Sequence, residues 1–147
     1  MTGPGTARPR RILAVCLGNH CRSPLAAAVL ARLGGSAVEA RSAGIRDKWA
    51  GRPAHPAMIA AAAARGYDLT GHRGVHLSPD MLDWADVVLA MDHANHASLH
   101  QLADLRAFRK VALYLGNRDV PDPFGQDEAA FAACAGIIEA GAARHLP

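Results

Sequence analysis

The 147-residue sequence contains few cysteines and no long hydrophobic run. Three cysteines are an odd number, which excludes a framework of paired disulfides and favours a reducing compartment. No apolar stretch is long enough to cross a bilayer, and residues 1–11 contain arginine and proline but not the hydrophobic segment of a signal peptide. The sequence therefore predicts a cytoplasmic protein without a membrane partner.

Aromatic residues and excess charge are also scarce. The chain has three Phe, two Trp and two Tyr, and its formal net charge is only +3. It lacks a dense run of Lys or Arg interleaved with aromatic residues, which argues against nucleic-acid binding, although mild positive charge would attract phosphate esters. Half of the residues are apolar, so a chain of this length can bury the core of one domain.

The most informative segment is residues 16–23, which read Cys-Leu-Gly-Asn-His-Cys-Arg-Ser. It follows a short apolar strand, 12–15, and precedes a helix that has Pro24 in its first turn, where proline is tolerated. In such a strand-to-helix turn the N–H groups of residues 17–22 can converge on one point, aided by the positive end of the helix dipole. This segment, called the P-loop below, predicts a phosphate-binding site.

The side chains of the P-loop suit phosphoryl chemistry. Gly18 is expected to supply a close approach and a positive φ, and Asn19 is the residue type next most able to adopt that conformation. Cys16 faces a helix N-terminus and Arg22, a setting that favours a nucleophilic thiolate near neutral pH. Arg22 offers a rigid fork of donors to phosphoryl oxygens, and Ser23 can donate a hydrogen bond to the departing sulfur. None of these steps requires a metal or another cofactor.

Alternating strand-like and helix-like segments predict an α/β fold of one domain, with a four-stranded parallel sheet flanked by helices on both faces. Ligands of such folds bind at the carboxyl ends of strands, where Cys16 lies. Residues 1–10 are predicted to be a flexible tail. The further predicted strands are 37–41, 86–91 and 111–115, and the further predicted helices are 56–65, a short one from Ser78, 92–105 and 126–145.

The pattern Cys-x5-Arg-Ser with Pro24 after it resembles the signature of low-molecular-weight protein tyrosine phosphatases. The resemblance covers all but about the first ten residues and implies that 11–147 form the phosphatase domain. It implies hydrolysis of phosphotyrosine or other phosphate monoesters through a Cys16 phosphoenzyme, with phosphate as product and inhibitor. Further matching motifs, in the family's order and at similar spacing, are Ser42-Ala43-Gly44, Trp49, Gly66-Tyr67-Asp68-Leu69, His72-Arg73, Met91-Asp92, Asn95 and Asp122-Pro123-Phe124.

Asp122 stands between two prolines, which stiffen its loop. Taken alone, the segment would be a turn with a solvated carboxylate. The resemblance implies instead that Asp122 is the general acid that protonates the leaving group and then the base that activates water.

Three further residues are implied to support the P-loop. By resemblance, Ser42 and His72 hydrogen-bond Asn19 and maintain the strained loop. Asp92 ends a buried strand, and it is implied to steady Arg22, to cap the next helix, or both.

Trp49 and Phe124 are the predicted walls of the substrate pocket, because large aromatic side chains on loops can sandwich an aryl ring. Trp49 could alternatively be a core residue. Most relatives carry two aromatics after the Asp-Pro pair, whereas here Phe124 is followed by Gly125. A small phosphorylated metabolite therefore stays open as the substrate.

Two P-loop residues have open roles. His20 stands where the family usually has an aliphatic residue, and it could hydrogen-bond the loop, add positive charge near phosphate, or point into solvent. The resemblance implies that Cys21 forms a reversible disulfide with Cys16 under peroxide, although it could equally be a small buried loop residue. Cys134, in an alanine-rich helical sequence, is predicted to be a core residue.

Other functions remain possible for the same residues. Arsenate reductases share this fold and loop, but they use further cysteines, and residues 66–92 contain none. A non-catalytic phosphate-binding module would not require Cys16, Arg22, Ser23 and Asp122 together. A metal site formed by Cys16, His20 and Cys21 lacks a fourth ligand.

Overall fold

Four parallel strands form the centre of the molecule in a computed structural model that describes residues 8–147. The sheet order is β2-β1-β3-β4, so the first strand is internal. This arrangement confirms the predicted α/β fold. The strands are β1 (Arg10–Cys16), β2 (Val38–Gly44), β3 (Val87–Ala90) and β4 (Val111–Leu113).

Helices cover both faces of the sheet, as predicted. The helices are α1 (Arg22–Gly34), α2 (Pro56–Ala64), α3 (Pro79–Trp84), α4 (His93–Leu102), α5 (Leu105–Phe108) and α6 (Glu128–Gly141), with 3₁₀ turns at Gly35–Ala37 and Ala142–His145. Side chains of β1 alternate between the two faces: Ile12 and Ala14 pack with α1, α2 and α6, whereas Leu13 and Val15 pack in a second cluster with α3 to α5. No helix of residues 8–147 is long and apolar enough to cross a membrane.

The predicted helix over 92–105 is in fact two helices. α4 ends at Leu102, Ala103 is extended, and the Asp104 carboxylate then accepts a hydrogen bond from the N–H of Ala107 at 2.8 Å. Asp104 is a helix N-cap, and it starts α5 instead of continuing α4. The predicted helix over 126–145 likewise begins late, at Glu128, because Asp127 caps it.

The N-terminal segment joins the fold earlier than predicted. Of the predicted tail, residues 1–7 lie outside the described residues, but Arg10 already begins β1. The Arg8 guanidinium donates to both oxygens of Asp86 at 2.8 and 2.9 Å, and the Arg11 N–H donates to the same carboxylate. These contacts, above all the hydrogen bonds from Arg8, lower the pKa of Asp86 to about 2. Residues 8–10 of the predicted tail therefore contact the fold, while the domain boundary at residue 11 stays a prediction.

Candidate active site

The P-loop connects the carboxyl end of β1 to the start of α1. Cys16 is the last residue of β1, and Arg22 is the first of α1. Within residues 8–147, the backbone N–H groups of residues 17–21 donate no hydrogen bond. Successive unsatisfied N–H groups before a helix N-terminus form an anion-binding concavity. This arrangement can hold a phosphoryl group.

Positive φ in the P-loop belongs to Asn19, not to Gly18 as predicted. Asn19 has a φ of 53°, and it is the only non-glycine residue with a positive φ in the described part of the chain. Gly18 is required for space instead, because a Cβ there would lie 2.7 Å from Cδ1 of Trp49. The sequence predicted the sharp bend, but the ring that excludes a side chain at Gly18 comes from a distant loop.

Asn19 is buried and is held by three hydrogen bonds. Its amide donates to Ser23 Oγ at 2.8 Å, its side-chain oxygen accepts from the Val75 N–H at 2.8 Å, and its carbonyl lies 2.9 Å from His72 Nε2. The predicted Ser42 contact is not formed, because within residues 8–147 the Ser42 side chain has no hydrogen bond. Sequence reasoning missed Val75, since a backbone donor leaves no signal in residue type.

Cys16 is buried, with 3% of its surface exposed, and its sulfur lies 3.0 Å from Ser23 Oγ. Ser23 Oγ also accepts a hydrogen bond from the Asn19 amide at 2.8 Å. The Asn19 side chain therefore holds the Ser23 hydroxyl beside the Cys16 sulfur, where the hydroxyl can donate a hydrogen bond to it.

Arg22 is buried, and it is fixed on two sides. Its Nη1 donates to Asp92 Oδ2 at 2.8 Å and to the Val120 carbonyl at 2.7 Å, and its Nη2 lies 3.8 Å from Asp122 Oδ2. Burial acts to lower the pKa of Arg22, but the hydrogen bond to Asp92 and the charges of Cys16 and Asp122 outweigh it, so the pKa is raised. The guanidinium is thus permanently charged and immobile.

Asp92 both binds Arg22 and caps the next helix, the two roles that the sequence analysis left open. Besides holding Arg22, its carboxylate accepts a hydrogen bond from the Asn95 N–H at 2.7 Å and caps α4. One side chain therefore connects the start of α4 to the guanidinium in the pocket.

Asp122 lies at the rim of the pocket, with a side chain that is 46% exposed. Its Oδ1 accepts from the Phe124 N–H at 3.1 Å, and its carbonyl accepts from the Gln126 side chain at 2.9 Å. These bonds tighten the turn around the carboxylate. The Val120 carbonyl, two residues earlier, joins the same loop to Arg22.

Four rings form what we call the aromatic wall: His20, Trp49, His55 and Phe124. The His20 and Trp49 rings are stacked, with centroids 4.0 Å apart and planes within 2°. Phe124 meets His20, Trp49 and His55 edge-on, with centroids 5.9 to 6.2 Å away. The predicted pocket residues Trp49 and Phe124 thus lie together, and His20, which was not predicted to join them, contacts both rings.

His20 does not point into solvent, which excludes one of its three open roles. It is 8% exposed, and its Nδ1 has no hydrogen-bond partner among the described residues. Burial, with a contribution from the nearby His55, lowers the pKa of His20. The ring is therefore a neutral part of the wall near pH 7.

Together these residues enclose a cavity of about 160 Å³. Arg46 and Lys48 also line it, and sequence reasoning missed both, although they lie within three residues of Trp49. The remaining lining residues are Cys16, Leu17, Gly18, His20, Cys21, Arg22, Trp49, Asp122 and Phe124.

The other two cysteines are buried thiols. Burial, and then the negative charge of Cys16, raise the pKa of Cys21 far above its usual range. Cys134 packs in the core from α6, as its sequence context predicted, and burial raises its pKa to about 12. Neither thiol is a competing nucleophile near neutral pH.

Comparison with known proteins supports one interpretation of this site. The sequence model of the low molecular weight phosphotyrosine protein phosphatase family matches residues 11–146. The chain is 33% identical over 139 residues to the probable low molecular weight protein-tyrosine-phosphatase EpsP of Ralstonia nicotianae, covering 94% of each chain. Its fold is similar to Vibrio vulnificus Wzb in complex with benzylphosphonate, with a TM-score of 0.87, 31% identity and coverage of 92% and 96%. The YwlE arginine phosphatase from Geobacillus stearothermophilus is also similar, with a TM-score of 0.84, 30% identity and coverage of 93% and 90%.

Proposed function

Because this chain belongs to the low molecular weight phosphotyrosine protein phosphatase family and is a cysteine-dependent phosphate monoester hydrolase, we propose that Cys16 is its nucleophile, Arg22 its transition-state clamp and Asp122 its general acid. One observation carries this assignment. The buried guanidinium of Arg22 is fixed by Asp92 at 2.8 Å and lies 3.8 Å from the Asp122 carboxylate, in the cavity that also contains Cys16.

In the first step, the Cys16 sulfur attacks phosphorus in line with the ester oxygen, and the phosphorus–oxygen bond breaks as the sulfur–phosphorus bond forms. The P-loop N–H groups and Arg22 bind the equatorial oxygens, whose charge distribution they stabilise best in the transition state. Asp122, protonated at this stage, transfers its proton to the leaving oxygen.

In the second step, water attacks the phosphocysteine, and the Asp122 carboxylate accepts the proton of that water. The Cys16 thiolate departs, and the Ser23 hydroxyl, 3.0 Å away, stabilises it by hydrogen bonding. Inorganic phosphate leaves, and Asp122 is again protonated for the next cycle. Phosphate is thus a product and a competitive inhibitor.

The substrate class that we propose is phosphotyrosine in a protein. The aromatic wall offers apolar ring surfaces beside the phosphate-binding loop, which suits an aryl ester better than a polar metabolite. We place the activity in the cytoplasm, because a catalytic thiolate and three unpaired cysteines require a reducing compartment. The role of Cys21 as a redox partner of Cys16 stays a prediction.

The first experiment is hydrolysis of para-nitrophenyl phosphate against pH, without added metal, by the wild type and Cys16→Ser. We expect activity in the wild type and none in the variant, with a phosphotyrosine peptide preferred over phosphoserine and sugar phosphates. Phosphoarginine belongs in the comparison because a similar structure is an arginine phosphatase, and arsenate reduction tests the reductase alternative. An active Cys16→Ser enzyme would refute the proposed nucleophile.

Asp122→Asn tests the general acid in the same assay. We expect kcat to fall by about 100-fold or more on phosphotyrosine, which has a poor leaving group, and by less on para-nitrophenyl phosphate. An equal loss on both substrates would contradict proton donation by Asp122.

A further inference from the structure

A second cleft lies directly behind the aromatic wall. It has a volume of about 420 Å³, and it shares His20, Trp49 and Phe124 with the catalytic cavity. On its far side it is lined by the loop that leads into α2, including Arg52 and His55. The catalytic cavity and the second cleft are therefore neighbours separated by one layer of rings.

The two clefts share three rings that lie close together. The centroids of His20, Trp49 and Phe124 are 4.0 to 6.2 Å from one another. In an extended chain, side chains two residues apart lie on the same side at about 7 Å from each other. A peptide whose phosphotyrosine occupies the cavity can thus place a second side chain across the wall.

The loop that builds the second cleft is fixed to the rest of the molecule. The Gly74 N–H donates to the Arg52 carbonyl and the Gly51 N–H donates to the Gly74 carbonyl, both at 2.8 Å. A Cβ at Gly74 would lie 2.2 Å from the Trp49 carbonyl oxygen, so the loop packs directly on this backbone. The backbone that carries Arg52 is therefore positioned before any substrate binds.

The lining of the second cleft contains one arginine, Arg52, and no carboxylate. Within residues 8–147, no carboxylate forms an ion pair with Arg52. The N-terminus of α2, which begins at Pro56 in the cleft lining, adds partial positive charge. The cleft thus combines an apolar lining with a cation that lacks a partner, a combination that suits a carboxylate on a short aliphatic stem.

We propose that the second cleft is a subsite for a Glu or Asp side chain within two positions of the phosphotyrosine, with Arg52 as the residue that recognises its carboxylate. This inference rests on the proposed phosphatase function and narrows its substrate to acidic phosphotyrosine segments of proteins.

The test uses three phosphotyrosine peptides that differ only at the two positions on each side of the phosphotyrosine, which are Glu, Gln or Lys. The measured quantity is kcat/KM for each peptide with the wild type, Arg52→Ala and Arg52→Glu. Ratios between peptides within one enzyme cancel any general effect of the substitution. The matched control is Arg106→Ala, because Arg106 is an exposed arginine on α5 that lines neither cleft.

We expect the wild type and Arg106→Ala to prefer the Glu peptide over the Gln peptide by about 1.5- to 5-fold at low salt, as for an exposed ion pair. Arg52→Ala should reduce that preference, and Arg52→Glu should favour the Lys peptide. The preference should shrink at high ionic strength. A wild type that does not distinguish the peptides, or a preference that survives Arg52→Glu, would overturn the subsite. Failure of the phosphatase assignment would look different, because none of the peptides would then be hydrolysed.

Discussion

His20 places its imidazole flat against Trp49, and the two rings together form one side of the substrate cavity. Trp49 lies over Gly18 on the same side, where a Cβ would be 2.7 Å from the indole. His20 is buried and neutral, so its contribution is contact and not charge. At the scale of single residues, we therefore regard His20 as a positioning residue for Trp49.

His20→Ala should raise KM for aryl phosphates by about 2- to 12-fold, the equivalent of one aromatic pair, while kcat changes little. His20→Phe should restore KM because it preserves the stack. Steady-state kinetics on para-nitrophenyl phosphate measure both parameters. The control is His100→Ala, which removes a ring packed on Phe108 outside the site. A large loss of kcat with unchanged KM would contradict a positioning role.

Sequence alone predicted which residue types the P-loop contains, but not which of them has the positive φ and which is required for space. It assigned positive φ to Gly18, whereas the structure has it at Asn19. The conformation of each residue depends on neighbours that are distant in sequence, such as Trp49 above Gly18 and the Val75 N–H beside Asn19. Such contacts are set by tertiary packing, which local residue preferences do not encode.

At the scale of secondary structure elements, aspartate N-caps determine where helices begin, and one of them also positions a side chain of the site. Three aspartates, Asp92, Asp104 and Asp127, accept hydrogen bonds as helix N-caps, and Asp92 and Asp127 begin helices α4 and α6 in the same way. Only Asp92 also binds Arg22. A comparison of substitutions at Asp92 and Asp127 can therefore distinguish the effect of a lost helix cap from the effect of a displaced Arg22 guanidinium.

Asp92→Ala and Asp127→Ala should each lower the free energy of unfolding by about 1 kcal/mol through loss of a cap, with a further loss in Asp92→Ala because buried Arg22 loses a partner. Only Asp92→Ala should also lose activity, by about 100-fold in kcat/KM, since a guanidinium displaced by about 1 Å no longer matches the transition state. Urea unfolding and phosphatase assays of both variants measure these effects. Equal activity in the two variants would show that Asp92 is only a cap.

The sequence predicted the element types well where apolar residues form a clear pattern. All four strands lie within a few residues of their predicted positions, because β1, β3 and β4 contain short apolar runs and β2 begins with alternating apolar and polar residues. The break between α4 and α5 was missed, because the helical pattern continues through Asp104 and only the carboxylate's bond to Ala107 starts a new helix. Whether an aspartate stays in a helix or caps one depends on local competition that composition does not reveal.

At the scale of the whole molecule, three histidines with lowered pKa predict how stability depends on pH. Burial is the main cause for each, and nearby positive charge adds to it: His55 for His20, Arg73 for His72 and Arg144 for His145. The ring nitrogens of His72 and His145 lie 2.9 and 2.6 Å from backbone carbonyls of Asn19 and Tyr114, contacts that only partly offset burial.

As pH falls below about 6.5, these histidines take up protons in the unfolded chain but resist them in the native fold. The free energy of unfolding should therefore decrease as pH drops from about 6.5, by at most about 1.4 kcal/mol per pH unit for each such histidine, until the lowered native pKa is reached. Urea unfolding between pH 7.5 and 5 measures the slope, and a His72→Gln, His145→Gln double variant should flatten it while keeping a side-chain donor near each carbonyl. The Arg8–Asp86 pair does not contribute to the slope between pH 7.5 and 5. The stabilisation from Asp86, whose pKa is about 2, is lost only below about pH 4. An unchanged slope in the double variant would mean that His72 and His145 do not control the acid sensitivity of the fold.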